Sequence, residues 1–274
     1  MMQNCKNYSI SRKKKVYFCP DFFAMRFFYL NQVDSTNAYL LRFPEEERIG
    51  TVVWAVEQTA GKGMASNTWE STPGMNLTFS MGVDMAFQKA SGQFLLSQAV
   101  ALAVYDVLGS VLRASGLSEE LLGTLKVKWP NDLYYGNRKL CGILINSTIH
   151  GDAMGVSVVG IGLNVNQTEF RDWPTPPVSL KMILGKDLEL QPLMERIVNA
   201  VNQRVAMMRM EERKSGIHHE YLNRLYRYRQ WGDYEVNGET VRLFIEGIDP
   251  FGRLVTMDEH RRINTYDIKE IRFL

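Results

Sequence analysis

The spacing of apolar residues changes several times along the chain, and each change marks a different element. Phe27 to Val33 and Thr51 to Val56 are short runs of aromatic and β-branched residues, the pattern of largely buried strands. Between them, Asp34-Ser35-Thr36-Asn37 offers a cap to a short helix that ends at Pro44. From Asn76 to Val83 the residues Leu77, Phe79 and Met81 alternate as in a strand. Gln93 to Leu112 then moves in steps of three and four, which puts Phe94, Leu95, Gln98, Leu102, Tyr105, Leu108 and Leu112 on one helical stripe. A short strand at Lys126 breaks at Pro130 and turns at Gly136-Asn137, and two further strands follow, Leu140 to Ile149 and Met154 to Val165. In the second of these, Gly160 and Gly162 lie on one face, where a ligand or another backbone can come close.

Beyond a loop marked by Pro174, Pro176 and Pro177, the residues Leu193, Ile197, Val201, Val205 and Met208 predict a helix opened by Pro192. Met207, Met208 and Met210 read as core filling, and Tyr221 to Tyr228 as a last helix. The period shortens again from Trp231. Val236-Asn237-Gly238-Glu239 is a two-residue hairpin signal and Asp249-Pro250-Phe251-Gly252 a tight turn, so the chain is expected to end in a small β-barrel. The expected division is a poorly ordered extension over 1–27, a main domain over 28–229 and the β-module over 230–274.

Composition narrows the class. Of 274 residues, 45% are hydrophobic and 23% charged, as in ordinary soluble proteins, and a net charge of +2 gives no support to a nucleic-acid or membrane partner. Cys5, Cys19 and Cys141 form no metal or disulfide pattern, which predicts free thiols in a reducing, cytoplasmic setting. His218 and His219 read as a solvated surface pair, and no metal-ligand spacing occurs. The basic run Arg12-Lys13-Lys14-Lys15 is followed by an apolar stretch interrupted at Pro20-Asp21 and Arg26, unlike a secretory leader. Met25 is a second candidate start. No uninterrupted apolar run reaches the length of a membrane span.

Four polar insertions interrupt the apolar strands: Ser35-Thr36-Asn37, the loop from Gln58 to Trp69, Asn131-Asp132 with Arg138-Lys139, and Gly160 to Asn164. Each sits at a strand end, compatible with convergence on one face of one sheet. The loop is small and polar and long enough to be functional. Its Gly61-Lys62-Gly63-Met64 does not match a nucleotide-binding P-loop. No nucleophile triad or paired-carboxylate pattern competes.

The ordered set Asp34-Ser35-Thr36-Asn37, Glu57-Gln58-Thr59-Ala60-Gly61-Lys62-Gly63, Lys128-Trp129-Pro130-Asn131-Asp132, Arg138-Lys139-Leu140-Cys141-Gly142 and Gly160-Ile161-Gly162-Leu163-Asn164 resembles the biotin–protein ligases. The resemblance implies an α+β fold: a mixed, largely antiparallel sheet flanked by helices, akin to class II aminoacyl-tRNA synthetases, with a C-terminal SH3-like β-barrel. It implies a ligase that joins biotin to ATP as biotinyl-adenylate, with magnesium carried on the nucleotide and no dedicated protein metal site. The biotinyl group then passes to a lysine of a biotin carboxyl-carrier domain. A lipoate–protein ligase with the same chemistry is the alternative, and the resemblance admits a homodimer.

Carried over residue by residue, the family pattern places biotin against Ser35, Thr36, Asn37, Gln58, Gly61, Lys62, Gly63, Met64, Lys139, Gly142 and Gly160. The nucleotide falls to Lys62, Trp69, Asn131, Lys139 and Asn164. The chemistry falls to Lys139, Asp132, Asn131 and Lys62. Two departures stand out. The loop usually carries several arginines, whereas here Lys62 is its one cation and Met64 cannot donate to a phosphate. The stretch before Phe27 is also shorter than the DNA-binding domain of some relatives, which argues against a DNA partner.

Overall fold

The computed structural model describes residues 6–11, 14–19 and 25–274, apart from 65–66, 172 and 174; for the first two strands it describes the backbone. The chain forms β1 (Lys6–Ser11), β2 (Lys14–Cys19), β3 (Met25–Val33), α1 (Thr36–Leu41), α2 (Glu45–Arg48), β4 (Thr51–Gln58) and β5 (Leu77–Asp84). Next come α3 (Gln93–Ala114), α4 (Glu119–Leu122), β6 (Leu125–Lys128), β7 (Asp132–Tyr135), β8 (Arg138–His150) and β9 (Ala153–Leu163). Three helices, α5 (Leu180–Leu184), α6 (Leu190–Met208) and α7 (Glu211–Asn223), precede β10 (Trp231–Val236), β11 (Glu239–Ile248), β12 (Leu254–Asp258), β13 (Ile263–Tyr266) and β14 (Ile271–Phe273).

Nine strands form one sheet in the order β1-β2-β3-β4-β5-β9-β8-β7-β6, and five form a second in the order β13-β12-β11-β10-β14. Only β3 and β4 run parallel; the remaining pairs of both sheets are antiparallel. The expected mixed, largely antiparallel sheet flanked by helices is present, with a separate C-terminal antiparallel sheet. Within the stretch expected to be an extension, β1 and β2 form a hairpin paired to β3. Arg12, Lys13, Pro20, Cys5, Ala65, Ser66 and Pro174 lie outside the described residues.

Period-2 alternation splits the core between the faces of the large sheet. On β4, Val52 joins the main cluster with α3 and α6, while Val53 and Ala55 join Leu30, Leu40 and Val158 beneath α1. Helix α3 is apolar and long enough to meet the composition of a membrane span, yet most of it is buried within the fold against α6 and α7. Its predicted stripe is too narrow, because Leu96, Ala99, Val100 and Ala103 are buried as well. The α6 stripe is buried throughout, but Met207 and Met210 reach the surface, so of the three methionines only Met208 fills the core. The last helix ends at Asn223, because Val127 draws the following chain alongside β6: Tyr226 N–H donates to its carbonyl at 2.8 Å. His218 is half-buried with Nδ1 3.0 Å from Gln98, so of the adjacent pair only His219 lies at the surface.

The turn at Asn237-Gly238 has φ of 53° and 82°, the left-handed pair that a two-residue hairpin requires. The second sheet docks where β6 gives way to the Trp129–Pro130 peptide, which is cis. Trp129 Nε1 donates to the Gly252 carbonyl at 2.8 Å, and Gly252 lies so close to Phe94 that a Cβ there would stand 2.4 Å from its ring.

Candidate active site

A cavity of about 810 Å³ opens on the α1 face of the large sheet, between that sheet and the C-terminal one. Its inner end is polar. Ser35 caps α1 by accepting from Ala38 N–H at 3.4 Å, which orients the first helical turn toward the sheet. Thr36 then donates to Gln58 Oε1 twice, from its backbone N–H at 2.7 Å and from Oγ1 at 3.1 Å, and Oγ1 lies 2.9 Å from Ser80 Oγ. Asn37 accepts from Asn146 Nδ2 at 2.8 Å. Thr36, Asn37 and Ser80 are buried, so this cluster is a fixed set of donors and acceptors in an apolar surround.

The floor beyond it is bare. Gly160, Gly162 and Gly142 sit on one face of β9 and β8, where Gly142 and Gly162 are register partners. Trp69 lies on that floor. A Cβ at Gly162 would stand 2.4 Å from its indole, and one at Gly142 would stand 3.1 Å from it. The loop that carries Trp69 is folded back on itself by Gly63 N–H donating to the Asn67 carbonyl at 2.7 Å and Trp69 N–H to the Gly61 carbonyl at 3.0 Å. The Trp69 Nε1–H is buried with no partner among the described residues.

Lys139 reaches this face through a β-bulge. Leu133 pairs with Cys141 but Tyr134 pairs with Lys139, so Leu140 is the extra residue of β8. Leu140 and Cys141 both point into the core, and Lys139 turns to the side of Gly142 and Asp132. Lys139 Nζ stands 2.7 Å from Asp132 Oδ2 and 5.9 Å from the Trp69 ring. The bulged backbone is satisfied from outside the sheet: Lys139 N–H donates to the Pro176 carbonyl at 3.0 Å, and Val178 N–H donates to the Lys139 carbonyl at 2.9 Å. Arg138 holds the same segment with two hydrogen bonds to the Pro177 carbonyl.

Thr36, Asn37, Gln58, Lys62, Gly63, Met64, Trp69, Asn131, Asp132, Lys139, Gly142 and Gly160 all line the cavity. Three expected residues stand apart from it. Ser35 is spent on its cap, and Gly61 faces a neighbouring cavity of about 540 Å³ on the far side of Trp69. Asn164 is buried with its amide donating to the carbonyls of Lys139 at 3.4 Å and Val178 at 3.2 Å, which ties the bulge rather than lining the site. Asn131 lines the wall, but its amide is committed to the Ile143 carbonyl. Burial raises the pKa of the Cys141 thiol, so this free cysteine behaves as a core residue.

Sequence reasoning missed Ser80, Asn146 and Lys128. Small Thr78, Ser80 and Gly82 between large apolar residues were a legible sign of a polar face on β5, and Gly162 shares its face with Gly160. Nothing in the sequence ties Asn146 to Asn37. No group of three or more histidine, cysteine or acidic side chains that could hold a metal occurs among the described residues.

This site stands on a sheet that known proteins share. Residues 29–165 match the biotin/lipoate A/B protein ligase family, and the chain belongs to that family. The bifunctional ligase/repressor BirA of Escherichia coli is 37% identical over 134 residues, 48% of this chain and 38% of that protein. The biotin–[acetyl-CoA-carboxylase] ligase of Paracoccus denitrificans is 28% identical over 180 residues, 62% of this chain and 69% of that one. The chain thus spans well under half of the E. coli relative. Among solved structures, the biotin protein ligase of Aquifex aeolicus in complex with biotin and ATP superposes with a TM-score of 0.72 at 21% identity, covering 92% of this chain and all of that one.

Proposed function

We propose that the protein activates biotin with ATP and transfers the biotinyl group to a lysine of a carboxyl-carrier domain. The observation that carries this reading is the hydrogen-bonded Thr36–Gln58–Ser80 cluster in the same cavity as Lys139 and Asp132. Biotin's ureido ring has two N–H donors and one carbonyl acceptor, which match a set of hydroxyl and amide groups. Lipoate's dithiolane offers no such groups and would leave these side chains unpaired, a mismatch that hydrogen-bonding sites reject strongly. The names of the relatives support the same choice.

The geometry orders the chemistry. With the ring system among Thr36, Asn37 and Gln58, the valeryl chain runs alongside Trp69, whose indole lies on the bare glycines, and delivers its carboxylate to Lys139. A carboxylate oxygen attacks the α-phosphorus, the bond to the bridging oxygen breaks, and pyrophosphate leaves. Lys139 and Lys62 offset the charge that accumulates there. The loop from Gly61 to Trp69 keeps water from the mixed anhydride. In the second step an acceptor amine attacks the acyl carbon, AMP leaves, and Asp132 takes the proton. Magnesium would come bound to the nucleotide phosphates, where it neutralises charge, and asks for no dedicated site. The C-terminal sheet as an SH3-like barrel, a docked carrier domain, the lack of a DNA partner, a cytoplasmic setting and a homodimer belong to the same proposal.

The test is incubation with biotin, ATP, magnesium and a biotin carboxyl-carrier domain, read as the mass shift of the carrier. Pyrophosphate exchange into ATP that needs lipoate and ignores biotin would overturn the choice of substrate.

A further inference from the structure

Register pairing lines up one row of residues straight across the sheet. Thr78 is opposite Gly162, Gly162 opposite Gly142, Gly142 opposite Asp132, and Asp132 opposite Lys128. Paired residues in such a row share a face, and neighbouring strands are about 4.8 Å apart, so Lys128 lies roughly 15 Å from Gly162 on the site side of β6. The burial pattern agrees, since Leu125 and Val127 enter the core and Lys128 lines the cavity. Its ammonium sits 5.1 Å from the centre of the Tyr134 ring and 4.7 Å from that of Phe273, the aromatic residue of β14. Asp132, the register partner of Lys128, gives its carboxylate to Lys139 at 2.7 Å. Among the described residues no carboxylate forms an ion pair with Lys128.

We propose that Lys128 is the cation that receives the departing pyrophosphate, an inference that rests on the adenylating reading above. Displacement at phosphorus keeps the attacking and leaving oxygens roughly in line. The carboxylate arrives at Lys139 from the glycine side of the row, so the bridging oxygen takes the bonding electron pair and leaves toward β7 and β6. The first group on that path is the Asp132 carboxylate, which repels a polyphosphate. The next is Lys128. A half-buried ammonium with Lys139 and Arg227 nearby, and with Asp132 committed to Lys139, gains when an anion joins it, beyond what its two rings supply. Burial, opposed by Asp132 and reinforced by Lys139, lowers the Lys128 pKa, which fits a cation whose anion comes with the substrate.

The test uses the full chain, wild type and Lys128→Met, Lys128→Gln and Lys128→Arg. Biotin-dependent exchange of labelled pyrophosphate into ATP is followed together with the shift in Tm that inorganic pyrophosphate produces. Loss of one charge-assisted contact is expected to raise the half-saturating pyrophosphate about tenfold or more in the neutral variants, with Arg restoring it to within about threefold. Pyrophosphate should raise the Tm of the wild type and the Arg variant but not of the neutral ones. Should the Met variant fail to fold, the Gln variant supplies the neutral comparison. A neutral variant that is less stable yet responds to pyrophosphate like the wild type would assign Lys128 to holding Phe273 and overturn the proposal. A wild type without biotin-dependent exchange whose pyrophosphate shift still depends on Lys128 would instead overturn the biotin reading and leave the anion site standing.

Discussion

Lys139 Nζ and Asp132 Oδ2 stand 2.7 Å apart, so two groups proposed for different tasks neutralise one another across β7 and β8. An arriving carboxylate must share Lys139 with Asp132, and Asp132 is then freer to meet an amine. Lys139→Ala should lower biotin-dependent pyrophosphate exchange by about a hundredfold or more while the fold is kept. Asp132→Asn should slow transfer from preformed biotinyl-adenylate by about a hundredfold and exchange far less. Equal losses in both half-reactions would refute this division of labour.

The glycine floor makes a graded prediction. At Gly162 a methyl group would stand 2.4 Å from Trp69, which must then move; at Gly142 the distance is 3.1 Å, which a small shift can relieve. Gly162→Ala should therefore open the loop to proteolysis after Lys62 and raise the KM for biotin more than Gly142→Ala does. Reversal of that order would remove Trp69 from the floor.

Thr36→Val keeps the shape of the side chain and removes the hydroxyl that joins Gln58 to Ser80. Buried Ser80 loses its partner, at about 1–3 kcal/mol, while half-buried Gln58 keeps the Thr36 backbone N–H. The KM for biotin should rise about tenfold with kcat little changed, the signature of lost uniform binding. A purely kcat effect in steady-state assays would contradict a ring-binding role.

Far from the site, Glu220 is held below its ordinary carboxyl value of 4.5, first by hydrogen bonds from Arg204 and also by Arg224. Its Oε1 lies 2.9 Å from Arg204 Nη2, joining α6 to α7, and 3.0 Å from Arg224 Nη1. A depressed carboxyl contributes stability that is complete above pH 4.5 and is lost as the pH falls through its lowered value. Glu220→Gln should cost about 2 kcal/mol near neutral pH and flatten the acid limb of a urea-midpoint profile. An acid limb as steep as the wild type's would place the titration elsewhere.

The site was legible where chemistry shows in residue type. Gln58, Lys62, Asp132, Lys139 and Gly142 stood out because amides, charges and glycines interrupt apolar strands, and all of them reach one cavity. Backbone pairing was not legible. Asn164 was expected at the nucleotide because its motif ends there, yet its amide is drawn to the Lys139 and Val178 carbonyls. Lys128 carried no site role in the sequence, because only its register with Asp132 puts it on the site face. The end of the last helix was misjudged for the same reason, since a strand edge competes for the backbone of Tyr226.

The extra residue at Leu140 means that the identity of the lysine is not enough to place it. Were β7 and β8 to pair regularly with Leu140 kept, Leu140 would stand opposite Tyr134 and strand alternation would turn Lys139 toward the core, with every side chain named in the site still present. In this protein the register of β8 against β7 is thus as strict a requirement as the charge itself, and the lysine proposed for catalysis could be lost to a one-residue slip that removes no functional group.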